Sequence, residues 1–291
     1  MRIFDLPAQR STDAMQFSLR TPQAGRWTLV LALGLDNPGR LQESFTGTID
    51  FTPASITVDN LPTSRSARLI AGQPVAVTVH VTNTGVSDKV VFVDARLTQL
   101  VTLPVSALSP TTVPLPLGTG EPRPAWLVPT HSDALTMVAS STVPIGMTMS
   151  DQFGASEVPA VPAGPTATAH LALPAIAPGV WFGAPALVGP FGNGGPPAVT
   201  TDMTATAEMN AFDQAITSDT GDVWLLSVDS SAPPFSPLVL GPGDSGTIAV
   251  TITPTGPAGT SVKGFLEVAT INPNTISGDT LAAFPYAYRI Q

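Results

Sequence analysis

The sequence predicts an all-β protein, and three observations predict it. Apolar residues recur at every second position through most segments, abundant proline (31) and glycine (25) punctuate them, and no segment shows capped helical periodicity. Only 11% of the residues are charged, against about 25% in an ordinary soluble domain, so the long charged side chains that coat surface helices are scarce. Apolar residues still make up 43% of the 291 residues, which is enough to bury cores in roughly two to four small domains.

The strands follow in order. In residues 27–35, Trp27, Leu29, Leu31, Leu33 and Leu35 share one face. In residues 45–51, Phe45, Gly47, Ile49 and Phe51 face one way and Thr46, Thr48 and Asp50 the other. Pro53 separates these from residues 75–82, where Val75, Val77, Val79 and Val81 face a core. The turn Asn83-Thr84-Gly85 leads to Val91, Val93, Ala95 and Leu97 on one face of the next strand. Proline-rich joints at 109–116 and 118–124 close this half. Residues 190–197 read as a long surface loop; they lack the strand, helix and lysine that a phosphate cradle needs. Residues 203–209 turn Met203, Ala205, Ala207 and Met209 inward, with Thr204, Thr206 and Glu208 outward. Then come Ile248, Val250 and Ile252; Val262, Gly264, Leu266 and Val268; and finally Phe284, Tyr286, Tyr288 and Ile290.

These strands repeat. Pro22-Gln-Ala-Gly-Arg-Trp27 matches Ile176-Ala-Pro-Gly-Val-Trp181, and Phe45-Thr-Gly-Thr-Ile-Asp-Phe51 matches Met203-Thr-Ala-Thr-Ala-Glu-Met209. The stretch from Gly72 to Val81-Thr-Asn-Thr-Gly85 matches that from Gly243 to Ile252-Thr-Pro-Thr-Gly256. Three anchors in one order imply two copies of one compound unit, and a duplicated β unit points to a rod or an arm before it points to a catalytic centre. Several strands before Trp181 have no counterpart before Trp27, so the expectation is that the chain begins inside its first sandwich.

Charge and composition exclude several function classes. The net charge is −9 with only 12 Lys plus Arg, so no basic stripe can neutralise nucleic-acid phosphates or an anionic membrane surface. There is no cysteine, hence no disulfide, zinc-thiolate site or cysteine nucleophile. No run of about 18 apolar residues spans a membrane, and the first seven residues lack the apolar core of a signal peptide.

The fragments that suggest chemistry have blander readings. His80, His131 and His170 show no ligand spacing. Asp219-Thr-Gly221 has the form of an aspartic-protease or subtilase acid motif, and Gly259-Thr-Ser261 that of a subtilase nucleophile. Yet all three histidines precede Asp219, none is followed by glycine, and Ser261 opens an alternating strand instead of a helix. Asp219 and Asp222 are the candidates for a calcium loop, against the plainer reading of a turn. Trp27, Trp181 and Trp224 read as core. Trp126, Phe182 and Phe191 are the candidates for an aromatic ligand-binding surface, and their joint exposure on one surface would favour it. No cofactor is expected.

The stretch Ala125-Trp-Leu-Val-Pro-Thr-His131, the segment 217–224, the stretch from Phe235-Ser-Pro through Thr251-Ile-Thr-Pro-Thr-Gly-Pro-Ala-Gly259 and the closing Leu281-Ala-Ala-Phe-Pro-Tyr-Ala-Tyr288 carry a resemblance. Together they resemble the C-terminal accessory region of secreted bacterial subtilisin-like serine proteases. That resemblance implies tandem antiparallel β-sandwiches, fibronectin-III-like and jelly-roll-like, in an elongated array. It divides the chain into a partial sandwich at 1–53, a fibronectin-III-like sandwich at 54–118, a jelly-roll-like sandwich at 119–213 and a second fibronectin-III-like one at 214–291. No catalytic residue carries over, because the matched region lies outside that family's active site. The chain also departs from the family in having Met1 where a protease domain precedes. The implied role is a non-catalytic extracellular or cell-wall-associated arm that stabilises, spaces or targets a protease domain of a longer parent chain. The alternative is an adhesion module for a carbohydrate polymer or cell-surface ligand.

Overall fold

A computed structural model describes residues 54–117, 122–152, 156–157, 164–172, 176, 178–190, 195–273 and 276–291. The expected partial sandwich at 1–53, with the strands of Trp27 and Phe45, lies outside the described residues. The fold is all-β and built of β-sandwiches. In chain order the first strands are β1 (Ala54–Asp59), β2 (Thr63–Leu69), β3 (Val75–Asn83), β4 (Lys89–Pro104) and β5 (Thr112–Leu115). Next come β6 (Ala125–Val128), β7 (Ser132–Ser141), β8 (Ile145–Asp151), β9 (Ser156–Glu157), β10 (Thr166–Ala172), β11 (Gly179–Leu187) and β12 (Val199–Phe212). The rest are β13 (Ile216–Ser218), the one-turn helix α1 (Val223–Leu226), β14 (Leu238–Leu240), β15 (Ser245–Ile252), β16 (Ser261–Asn272) and β17 (Ser277–Ile290).

Among the described residues, three sheets make two sandwiches. A large sheet runs β10-β7-β12-β4-β16-β17-β2, with β5 also on β12 and β14 also on β4. The sheet β1-β3-β15-β13 covers one part of it and β6-β11-β8-β9 another. All pairings are antiparallel except that of β17 with β2. The first core joins Val77, Val79 and Val81 of β3 and Ile248, Val250 and Ile252 of β15 to Val93, Leu266 and Tyr288 across the sandwich. The second holds Trp126, Trp181, Met137, Met149, Met203 and Met209. Among the described residues, the period-two faces read from the sequence pack on these cores, with Val75, Leu97, Val262 and Phe284 half-buried at their edges, and each fully buried Val or Ile contributes about 1.5–3 kcal/mol.

The separate sandwiches expected at 54–118 and 214–291 are one. β3 pairs with β15, β4 with β16, and β2 with β17, so both segments build a single core. Strands β6 to β12 form the second sandwich, inserted between the two halves of the first, and β5 and the end of β4 complete it. The sixteen-residue β4 serves both: it pairs with β16 through Val91–Leu97 and with β12 through Arg96–Pro104.

The reason lies in the repeat. Thr78 stands as far beyond Gly72 as Ala249 beyond Gly243, and these two residues face each other in the β3–β15 ladder. By the same correspondence Ala95 matches Leu266, and these face each other between β4 and β16. β3 and β4 therefore each meet their own counterpart about a local two-fold axis that threads both sheets. Outer strands obey the same axis, with Ile56 opposite Val81 and Ile216 opposite Ile252. So do the turns: Gly72 (φ 74) donates its N–H to Pro254 O at 2.9 Å, and Gly243 (φ 80) to Asn83 O at 2.8 Å. The positive φ explains why glycine opens both copies.

Candidate functional site

On the face of β4 opposite Val91, Val93 and Ala95, Phe92, Asp94 and Arg96 are buried where the two sandwiches meet. Arg96 Nε donates to Asp94 Oδ1 at 2.6 Å, and both side chains are essentially free of solvent. Arg96 Nη1 donates to the Asn210 carbonyl at 2.9 Å, and the guanidinium lies 3.5 Å above the Phe212 ring. Thr130, in the β6–β7 turn, donates its hydroxyl to Asp94 Oδ2 at 2.9 Å. Its neighbour His131, held at φ 57, places Nε2 against Glu267 Oε2, which also accepts the Thr280 hydroxyl at 2.9 Å. β4, β16 and β17 of the first sandwich are thus tied to the β6–β7 turn and β12 of the second.

The loop 219–222 completes the junction. Asp222 caps α1, its Oδ1 accepting the Trp224 N–H at 2.8 Å, and Trp224 is wholly buried against Phe92. The sequence signal for a turn at Asp222 holds, but the turn starts a helix because the aspartate satisfies the first free N–H. Burial and the neighbouring Asp94 carboxylate push Asp222 well above the usual carboxylate range. Burial also pushes Asp94 upward, but the charge and hydrogen bond of Arg96, with the charge of His131, hold it below that range. The two carboxyl groups are thus shifted in opposite directions, Asp222 up and Asp94 down. On the other side of β4, Asp213 accepts the Tyr286 hydroxyl and the Ala215 N–H. Burial and that carboxylate raise the Tyr286 phenol far above its ordinary value.

Asp94 is closed off from solvent, and Asp222 keeps only 9% exposure at the edge of a small cavity. The cavity beside Asp213 and Asp222 measures about 40 Å³, room for water and not for a substrate. The cluster's chemistry is cohesion between sandwiches. The sequence carried one signal for it: Phe92, Asp94 and Arg96 interrupt a polar face with a large apolar ring, which a wet strand would not show.

The other candidates fall in different places. Asp219 is exposed and its Oδ1 accepts the Ala249 N–H at 3.1 Å, while Asp222 points inward to α1, so each carboxylate caps a different backbone group. Among the described residues no three His, Asp or Glu side chains converge on a metal position. Trp126 is 1% exposed, in the second core, and Phe182 is half-buried on β11, so the aromatic surface that the sequence suggested is not assembled by these two. Phe191 lies outside the described residues. Trp181 and Trp224 are core, as expected. His80 reaches Asp59 at 3.0 Å and His170 the Thr136 hydroxyl at 3.0 Å, both at the surface.

No family model matches the chain, and no curated protein does. A solved structure described as "AvmM Catalyzes Macrocyclization in Alchivemycin A Biosynthesis" aligns with 84% of this chain and 96% of its own at 9% identity. Its TM-score is 0.24, too low to carry an argument about fold or function. Among the described residues no helix is long and apolar enough to cross a membrane.

Proposed function

We propose that the chain is a non-catalytic accessory region, a stiff pair of sandwiches that stabilises, spaces or targets a secreted subtilisin-like protease. The observation that carries this reading is the continuity of β4 through both sandwiches, with Arg96, Asp94 and Glu267 consumed in joining them. A shared strand leaves no free linker about which the sandwiches could swing, which suits a spacer. The resemblance in 125–131, 251–259 and 281–288 supplies the protease as the partner and the extracellular or cell-wall placement.

Two measurements test it. The chain has no cysteine, so Val86→Cys and Thr168→Cys, both exposed and on different sandwiches, give one clean spin-label pair. A single narrow distance distribution is expected, and a broad one would rule out the spacer. Incubation of the purified chain with a mixed peptide substrate pool should give no turnover above buffer. Turnover that survives further purification would overturn the non-catalytic reading.

A further inference from the structure

The described residues include seven Lys and Arg. Lys89 and Arg96 are buried, and four of the five exposed ones, Arg65, Arg68, Lys263 and Arg289, lie on β2, β16 and β17. Strand alternation sorts them. Gly264 and Leu266 of β16 and Tyr286, Tyr288 and Ile290 of β17 are buried, so Lys263, Phe265 and Arg289 point outward. Ala67 and Leu69 pack on the same core and leave Arg68 outward. The register sets Ser261 opposite Arg289, Lys263 opposite Ala287, Phe265 opposite Pro285, and Arg289 opposite Arg68.

Three features mark this face. Arg68 and Arg289 stand side by side across the parallel β2–β17 pair, two like charges brought onto one face. None of Arg68, Lys263 and Arg289 forms an ion pair among the described residues, and Arg289 is held in place by its Nε donating to the Gly259 carbonyl at 3.1 Å. Phe265, 36% exposed, is the aromatic among the exposed large hydrophobic residues described, and it sits two positions along β16 from Lys263. The face is also continuous with the sandwich junction, since Phe265 lies opposite Arg96. The second sandwich covers Arg96 and stops short of Phe265.

We propose that this face binds an acidic polysaccharide, its uronate carboxylates on Arg68, Arg289 and Lys263 and a sugar ring stacked on Phe265. Guanidinium forks match carboxylates in bidentate geometry, and an aromatic face takes the apolar C–H side of a pyranose. The chain's charge of −9 selects against a polyanion that offers charge alone, because the long-range field repels it. A uronate polymer adds the ring contact that a purely ionic ligand lacks. The proposal rests on the targeting role proposed above and names its partner class.

The test uses the whole chain and three probes at low salt: polygalacturonate, its methyl ester, and poly-glutamate. Polygalacturonate is expected to bind, and the Arg68→Ala/Arg289→Ala variant to weaken it about tenfold or more, since two charge-assisted contacts are lost. Phe265→Ala should weaken it severalfold, with thermal midpoints near the parent's in both variants. Absence of polygalacturonate binding would overturn the proposal. So would equal binding of the methyl ester, which lacks the charge, or of poly-glutamate, which would assign the face to an acidic protein. The spin-label distances and the turnover assay read the spacer role independently, so either reading can fail alone.

Discussion

Arg96 shows how a single residue can carry a junction. Its charge is out of water, and its stabilisation depends on Asp94, the Asn210 carbonyl and the Phe212 ring acting together. Removing one member of such a pair strands the other: Asp94→Ala should cost about 3–5 kcal/mol, whereas Asp94→Leu combined with Arg96→Met should cost less than Asp94→Ala alone. Urea unfolding of the three proteins checks the order. Asp222 and Asp94 make opposite contributions with pH. Asp222 holds its proton more tightly when folded, so its contribution is full below the unfolded pKa and is lost as pH rises through the folded one. Asp94 is depressed, so its contribution is present above the unfolded pKa and is lost as pH falls through the folded one. Asp222→Asn should remove the loss on raising pH and keep the loss on lowering it, read as urea midpoints across pH.

Elements here are set by their ends as much as by their faces. Asn83 ends β3, and its Nδ2 donates to the carbonyls of Ser87, Leu240 and Gly241, while its Oδ1 accepts the Gly85 N–H at 3.0 Å. It thereby ties the β3–β4 turn to the end of β14. Its repeat counterpart, Pro254, has no such side chain, so the two turns are alike in backbone and different in tether. Asn83→Ala leaves these groups buried and unmet and should cost roughly 2–4 kcal/mol in a thermal or urea melt. The corresponding Pro254→Ala should cost well under half of that. β16 carries a second constraint at Gly264, where a side chain would meet the Arg96 carbonyl and the Tyr286 hydroxyl. Gly264→Ala should therefore push β16 from β4 and lower the melting temperature more than Gly164→Ala, a position open to solvent.

Across the whole molecule, the shared strands make the sandwiches cooperative. β12 pairs with β4 as well as β7, so neither core can open without breaking ladder bonds of the other. Trp126 and Trp181 report on the second core and Trp224 on the junction. Phenylalanine replacements that leave one tryptophan family at a time should give coincident urea transitions. Two separated transitions would mean that the sandwiches fold as independent units. The two-fold axis adds that the first sandwich is closed by two halves far apart in sequence, which makes its contact order high and its folding slow beside that of a local hairpin.

The sequence made legible the all-β class and the alternating strands of Val75–Val81, Met203–Met209 and Phe284–Ile290, because alternation is a local property with a fixed period. It also determined the repeat, since Gly72 and Gly243 need the same positive φ. What the repeat does emerges in three dimensions: its copies close one sandwich together instead of building two, because pairing partners are chosen by shape and burial across long separations that no local pattern records. The same holds for Asp94, Arg96 and Glu267, charged residues that alternate with the core positions of β4 and β16. A second sandwich folding over them turned those positions into the junction.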